Sequence, residues 1–380
     1  SQVSFSDDYQ FAQINSGTTK DLNAVTFGDG KFVAVGDDST VVSSDSSDGQ
    51  LGWSSSKVSD ESLNLRAATY GDGKFVVGGE DSKIFSSQID GEWFDQGEAF
   101  PGSGFLVLEG AYNSDSFVFV SEVAAIRHVD SNFNTWGSPL LNNPTLVEGF
   151  RDVASFGDSS FIAVGIHGLI RISSDGGKNW NPVRILNIQE NDLLGVVTGN
   201  DKFMAVGTGG EILLSVNDGV TWEEIDSGVN VNLNDVAYND GEFIAVGDSG
   251  VIITSSDGRT WERQRSSTTK DLQSIVYADS GELEGTVVIV GEDGALLIGK
   301  RPGSTRISGQ ERLEAPDDIL EIVEITDSET CSDTDAGIDY RNDGTVTAFK
   351  RLWYSLWLLG SEKDSTDECI DNSNLKEYYC

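Results

Sequence analysis

The chain has 380 residues, with 63 acidic against 25 basic side chains and a formal net charge of −38. That balance excludes a nucleic-acid partner, which needs a basic face for its phosphates, and it argues equally against an anionic membrane surface. The charge reads first as a solubility device, an adaptation to a cation-rich habitat or a source of many weak Ca²⁺ contacts, ahead of a specific cationic partner. No run of about 20 apolar residues is present to span a bilayer. The first residue is Ser with no signal peptide after it, which is the form of a mature, processed secreted chain.

In chain order, the first feature is Phe11–Gly17 (FAQINSG), which matches Trp222–Gly228 (WEEIDSG), and the TTKDL after it at 18–22 recurs identically at 268–272. An apolar run then repeats seven times. KFVAVG ends at Gly36, KFVVGG at Gly79, SFVFVS at Ser121, SFIAVG at Gly165, KFMAVG at Gly207, EFIAVG at Gly247 and TVVIVG at Gly291, at spacings from 40 to 44 residues. Leu233–Trp261 shows the whole unit: LNDVAY, the turn NDG, the apolar strand, the turn DSG, VIITS and a last turn before Trp261. This is an antiparallel meander whose middle strand is apolar at every position, as expected of a strand covered on both faces. Four strands in a period of about 40–45 residues predict a β-propeller blade, and seven copies predict seven blades. Six of the seven runs end in Gly, which predicts a positive φ or a close backbone approach at the next turn. Ser121 marks the third blade as irregular.

Each fourth strand follows a turn of one kind. SSDGGKNW (Ser173–Trp180) and SVNDGVTW (Ser215–Trp222) fit S-x-D/N-x-G-x-x-W, SSDGRTW (Ser255–Trp261) is one residue tighter, and SSDSSDGQLGW (Ser43–Trp53) is a longer relative. These turns resemble the Asp-box, and residues 11 to about 302 are similar to BNR/Asp-box β-propellers, most of all those of the photosystem II assembly-factor type. The resemblance implies a structural role for Asp175, Asn217 and Asp257, whose side chains accept backbone N–H bonds, and for Trp180, Trp222 and Trp261, which pack between sheets.

After the seventh run, Gly294–Gly299 (GALLIG) gives a third strand, and KRPGS follows before any fourth. The N-terminal strand at Phe11–Gly17 supplies the missing one, so the ring is predicted to close by joining the two ends of the chain and leaving no exposed edge. The propeller thus occupies residues 1–302. A connecting segment of residues 303–330 loses the repeat and holds one alternating strand, Ile319–Ile325.

Residues 331–380 form a small C-terminal module holding all three cysteines, Cys331, Cys369 and Cys380. A cysteine-stapled module points to an oxidising compartment. An odd count leaves one thiol free or paired with another chain. The segments Cys331–Thr345 and Asp367–Cys380 resemble a cysteine-bearing repeat of secreted archaeal and bacterial surface proteins, which implies an extracellular address. Asp333, Asp335 and Asp339 have spacing reminiscent of calcium loops, but Gly337 falls where a ligand belongs and no Glu closes the loop. A weak Ca²⁺ site and a solvated acidic turn both remain open there, and no other cofactor is expected. Between the two segments, Phe349, Leu352, Trp353, Leu356 and Trp357 make an apolar stripe compatible with helix or strand. It serves either as the module's own core or as a docking surface.

Catalytic chemistry is sparse. The two histidines, His128 and His167, are far apart, and no H-E-x-x-H, G-x-S-x-G or phosphate loop occurs. At one position of the first strands the blades carry Arg66 and Arg151 but Asn23 and Asn234. Two arginines fall short of the triad over a sialidase channel, and they dilute the basic patch that assembly-factor propellers present to their partner. The sequence therefore leads to the expectation of a non-enzymatic, secreted, cell-surface propeller: a structural or protein–protein interaction unit that self-assembles into a filament or surface layer, its partners being copies of itself or other surface proteins. Two alternatives stand beside it, a glycan-binding or sialidase-like propeller and an assembly chaperone for a membrane-protein complex.

Overall fold

The computed structural model describes residues 9–47, 50–87, 91–123, 125–137, 140–141, 149–183, 191–199, 201–239, 241–300, 323–325 and 346–348. Seven four-stranded antiparallel sheets follow one another along the chain. Their first strands are Leu22–Gly28, Leu65–Gly71, Val107–Asn113, Phe150–Phe156, Leu193–Gly199, Leu233–Asn239 and Leu272–Tyr277. These strands touch from blade to blade all the way round, the last against the first, so they line the axis of a closed seven-bladed β-propeller.

The seventh blade is completed from the other end of the chain. Gln10–Gln13 pairs antiparallel with Leu296–Lys300, Gln10 opposite Lys300 and Gln13 opposite Leu297. The strand is shorter than the stretch read from the sequence. Past Ile14, whose N–H still reaches Leu296 O at 2.8 Å, Asn15 Oδ1 accepts from Gly17 N at 3.0 Å and bends the chain away. Ser16 Oγ ties this bend to Gly294 O at 2.7 Å. At the other end, the Tyr9 hydroxyl donates to Glu242 Oε2 of blade six at 2.8 Å and lies 3.0 Å from the Tyr277 hydroxyl of blade seven.

The core has no single centre. Buried side chains form seven clusters, one in each wedge between neighbouring blades. The middle strand supplies both of its faces to these wedges, so Phe243 and Ala245 face blade five while Ile244 and Val246 face blade seven. This accounts for apolar residues at consecutive positions where a one-sided sheet would alternate. Tyr9 and Phe11 belong to the wedge between blades six and seven.

The glycines that end the second strands answer to close approach and not to positive φ. Gly165, Gly207, Gly247 and Gly291 are fully extended. A Cβ on Gly36 would sit 1.8 Å from Asp21 O, and one on Gly247 would sit 1.9 Å from Asn232 O. The carbonyl preceding each first strand is pressed against that spot because it accepts the N–H just after the glycine, as in Asp37 N to Asp21 O at 3.0 Å and Asp248 N to Asn232 O at 3.0 Å. Blade three replaces the glycine with buried Ser121, whose hydroxyl accepts from Ala125 N at 3.3 Å.

The chain divides into two units, Ser1–Arg306 and Ile307–Cys380. In the second unit, Val323–Ile325 pairs antiparallel with Val346–Ala348, and Val323–Ile325 falls inside the strand expected at Ile319–Ile325. Cys331, Cys369, Cys380, Asp333, Asp335, Asp339, Phe349, Leu352, Trp353, Leu356 and Trp357 lie outside the described residues. Among the described residues no helix is long and apolar enough to cross a membrane.

Two predictions follow from this architecture. Deleting residues 1–17 strips the outer strand from blade seven and removes Tyr9 and Phe11 from its wedge. The expected result is aggregation, or a stability loss well beyond the roughly 0.5–3 kcal/mol of a typical point change; a monodisperse truncated chain with an unchanged melting temperature would refute strand closure. Gly247→Ala forces a methyl onto Asn232 O and should cost about 3 kcal/mol or more. Gly241→Ala, at φ 89° with open space around it, should cost only about 1–2 kcal/mol, and equal losses in denaturant melts would show that close approach is not the constraint.

Candidate functional site

The Asp-box residues sit on the turns between third and fourth strands. Asp175 Oδ1 accepts from Asn179 N at 2.9 Å, Lys178 N at 3.1 Å and Ser173 Oγ at 3.0 Å, while Ser173 Oγ accepts from Gly177 N at 3.1 Å. Burial works against its ionisation, but the bonds from Asn179, Ser173 and Lys178 outweigh it and hold the carboxyl below the usual range. Asn217 repeats the arrangement, accepting from Thr221 N at 2.9 Å and Ser215 Oγ at 3.1 Å. Asp257 accepts from Thr260 N at 2.7 Å and Arg259 N at 2.6 Å, and these backbone bonds depress its pKa strongly. Trp180 Nε1 donates to Gly177 O at 2.9 Å and Trp222 Nε1 to Gly219 O at 3.0 Å. In the tighter box of blade six, Trp261 Nε1 is buried with no acceptor among the described residues, as is Trp53 Nε1 after the longer turn of blade one. In these boxes the acceptor oxygens nearest the turn are engaged by the chain itself, so the turns hold the blade together.

The second site is the axial channel. It arises from one irregularity repeated seven times. Each first strand slips register between its first and third residues, at Leu22/Ala24, Leu65/Ala67, Val107/Glu109, Phe150/Asp152, Leu193/Gly195, Leu233/Asp235 and Leu272/Ser274. Such a bulge sets two residues against one partner, and in blades three, four, six and seven both the second and the third residue of the strand reach the axis. The channel is lined by Asn23, Arg66, Leu108, Glu109, Arg151, Asp152, Leu194, Asn234, Asp235, Gln273 and Ser274, around a cavity of about 130 Å³. That space falls short of the roughly 300–1,000 Å³ of an ordinary small-molecule pocket.

Arg66 and Arg151 therefore do come together at the axis. Arg66 Nη1 donates to Asn23 Oδ1 at 3.1 Å and Arg151 Nη1 to Phe150 O at 3.2 Å. Asn23 Nδ2 is itself spent on Asp37 Oδ1 at 3.0 Å and Leu65 O at 2.9 Å, and Asn234 Nδ2 on Asp248 Oδ1 and Leu272 O, both at 2.9 Å. The histidines stay apart. His128 is in the third strand of blade three, where burial and Lys178 push its pKa down. His167 is the left-handed tip of the turn Ile166–Gly168. No group of three metal-ligating side chains occurs among the described residues.

Three carboxylates that the sequence reading passed over share this channel. Asp152 accepts from Val153 N at 2.6 Å through Oδ1 and from Val196 N, in blade five, at 2.6 Å through Oδ2. Asp235 does the same with Val236 N at 2.7 Å and Ile275 N of blade seven at 2.9 Å. Glu109 accepts from Gly110 N at 2.9 Å and from Ala68 N of blade two at 3.3 Å. Each is partly open to the lumen yet ringed by seven strands, so water cannot surround it. This burial pushes all three pKa values up: Glu109 well above the carboxylate range, where Asp152 adds to the shift; Asp152 to about 7, with Asp235 adding; and Asp235 to about 6. The signal for them was one residue beyond Arg66 and Arg151, where the blades read Ala24, Ala67, Glu109, Asp152, Gly195, Asp235 and Ser274.

Solved structures share the architecture. A structure described as YCF48 bound to D1 peptide is 19% identical and covers 76% of this chain and 96% of its own, with a TM-score of 0.62. YCF48 from Cyanidioschyzon merolae is 17% identical, covering 76% of this chain and 98% of its own, with a TM-score of 0.60. Virginiamycin B lyase from Staphylococcus aureus is 13% identical and covers 77% of this chain and 99% of its own at a TM-score of 0.64. At these identities the likeness shows the fold alone, and the same ring carries different functions. No curated protein matches the chain. The family model described as photosynthesis system II assembly factor YCF48 matches residues 7–299, the propeller from its closing strand to blade seven. This match overturns the expectation of a secreted, self-assembling structural unit at the cell surface. That expectation leaned on the cysteine-bearing C-terminal segment and on the low count of channel arginines, whereas the repeats themselves follow the assembly-factor pattern from end to end. The chain belongs to the photosystem II assembly factor YCF48 family.

Proposed function

We propose that the chain is a non-enzymatic assembly factor that holds an extended segment of a membrane-protein subunit while a complex is put together. The observation that carries this reading is the family match across the whole ring, residues 7–299. It is supported by a structure of YCF48 bound to D1 peptide, in a propeller that superposes on 76% of this chain. The axial cavity of about 130 Å³ is small beside the roughly 300–1,000 Å³ of an ordinary pocket, which favours docking on the outside of the ring over docking in the channel. A ring in a chain of net charge −38 draws segments that carry Lys and Arg and repels acidic ones.

The test is co-purification from cells that naturally make the protein, together with the state of membrane complexes in cells lacking it. Recovery of subunits of one membrane complex with the tagged chain, and loss of that assembled complex in the deletion strain, is the expected result. Normal complex levels in the deletion strain, with no membrane subunit retained, would refute the proposal. Turnover of a sialoside or polysaccharide that Arg66→Ala or Arg151→Ala abolishes would replace it with the glycan-acting reading.

A further inference from the structure

Closing the ring joins the two ends of the row of blades, but each blade still finishes at the rim in an outer strand with no strand beyond it. An unpaired edge is a template for another chain, and proteins blunt it with short strands, charges, Pro or a bulge. Over the described residues, six of the seven outer strands are blunted in these ways. Leu140–Leu141, Glu223–Glu224 and Glu262–Arg263 are two residues long, and the last two are charged throughout. Asn181–Val183 holds Pro182, and Gln10–Gln13 has four residues. Trp93–Glu98 carries Asp95 and Glu98, and a register slip between Ile84 and Phe85 breaks its ladder.

Blade one is the exception. Its outer strand, Gln50–Lys57, runs eight residues in unbroken register, from Gln50 opposite Ser47 to Lys57 opposite Thr40, with no Pro and no charge before Lys57. The ladder continues in step to Val58, whose N–H donates to Ser39 O at 3.1 Å. An antiparallel strand turns alternate backbone groups to its neighbour, so those of Ser54 and Ser56 face the sheet, as at Val58, and those of Trp53, Ser55 and Lys57 point out of it. Ser54, Ser55 and Ser56 are exposed and small enough to let a second backbone approach. Gly17 of the closing segment lies beside this strand, an added Cβ there standing 3.6 Å from Ser55 Cβ, yet Ser55 stays exposed. The one charge that could guard the edge is drawn off it, because Lys57 Nζ is held by Asp38 at 3.0 Å.

We infer that this edge is where an extended segment of a partner protein docks, adding a fifth strand to blade one. The inference rests on the assembly-factor reading and gives that reading a site. Main-chain hydrogen bonds supply the affinity in such a mode, and alternate side chains supply the specificity. The hydroxyl-lined edge suits an uncharged, β-branched stretch flanked by Lys or Arg. A second copy of this chain would bring the same net charge of −38 and be repelled, whereas a segment with basic flanks is drawn in.

The test uses the full chain. A photo-crosslinking amino acid is placed at Ser54 or Ser56 and, for comparison, at Glu223 or Glu262. In the native cells the two serine sites should join one extended segment of a retained membrane subunit, and the two glutamate sites should not. That segment, made as a synthetic peptide, should bind the chain and slow amide exchange at Trp53 and Ser55. Ser55→Pro removes an outward N–H and leaves the bonds to the sheet in place. It should weaken the peptide at least about tenfold, the worth of one good hydrogen bond, with little change in melting temperature. Should that variant fold poorly, Ser54→Lys/Ser56→Lys sets like charges against a basic segment and should give the same loss. Subunit retained through crosslinks from Glu223 or Glu262 alone, or a peptide affinity untouched by the variant, would overturn the edge and leave the assembly-factor reading standing. Crosslinks to a second copy of this chain alone would overturn it as well. If the unaltered chain retains no membrane subunit, the assembly-factor reading fails and the inference fails with it.

Discussion

A blade of this protein is apolar on both faces, and everything else in the ring answers to that. Phe243 and Ala245 need blade five as much as Ile244 and Val246 need blade seven. At about 25 cal/mol per Å² of apolar surface, a blade with one neighbour would leave half of its driving force exposed to water. A row of blades never satisfies this requirement at its ends, whereas a ring does. Closure is therefore a thermodynamic necessity set by the middle strands, and the use of Gln10–Gln13 as the outer strand of blade seven is the means of achieving it. The close approach of each pre-strand carbonyl to the glycine after the middle strand then fixes how the blades succeed one another.

Much of this was legible because the repeat is a physical signal. The apolar run ending in Gly recurs at nearly constant spacing, so blade number and strand order could be read without ambiguity. The matching of FAQINSG to WEEIDSG gave the closing strand, since identical surroundings select similar residues. Its end was misplaced because Asn15 and Gly17 form a turn held by a side-chain bond, which apolar patterning does not register. The role assigned to the terminal glycines was right in one of its two alternatives. Sequence shows that a Cβ is unwelcome, but not whether φ or a neighbouring carbonyl excludes it.

The channel was harder to read, for a reason that lies in the bulge. Strict alternation along a strand sends neighbouring residues to opposite faces, so Leu108 and Glu109, or Arg151 and Asp152, would not be expected to share a surface. The register slip brings both toward the axis, and with it a row of acids that alternation would have placed in a wedge. The functional reading failed more seriously. The cysteine-bearing tail and the count of arginines are local features, whereas the repeat pattern spans the ring and matches one family from residue 7 to 299. A low count of basic side chains does not remove the ring from its family.

The seam in blade seven has a consequence for how the protein is made. Gln10–Gln13 leaves the ribosome before any blade, while its partner Leu296–Lys300 leaves after the first six are complete. The earliest strand must therefore wait, unpaired, while nearly the whole ring is synthesised and packed beside it. Closing the ring joins two segments that are far apart in the chain, a step that costs loop-closure entropy and is slowed by it. Until then the nascent protein presents one open strand edge at the growing end and one loose strand at the other. These are the complementary halves of a domain swap, so crowded ribosomes translating one message are the setting in which two chains are most exposed to exchanging their first strands.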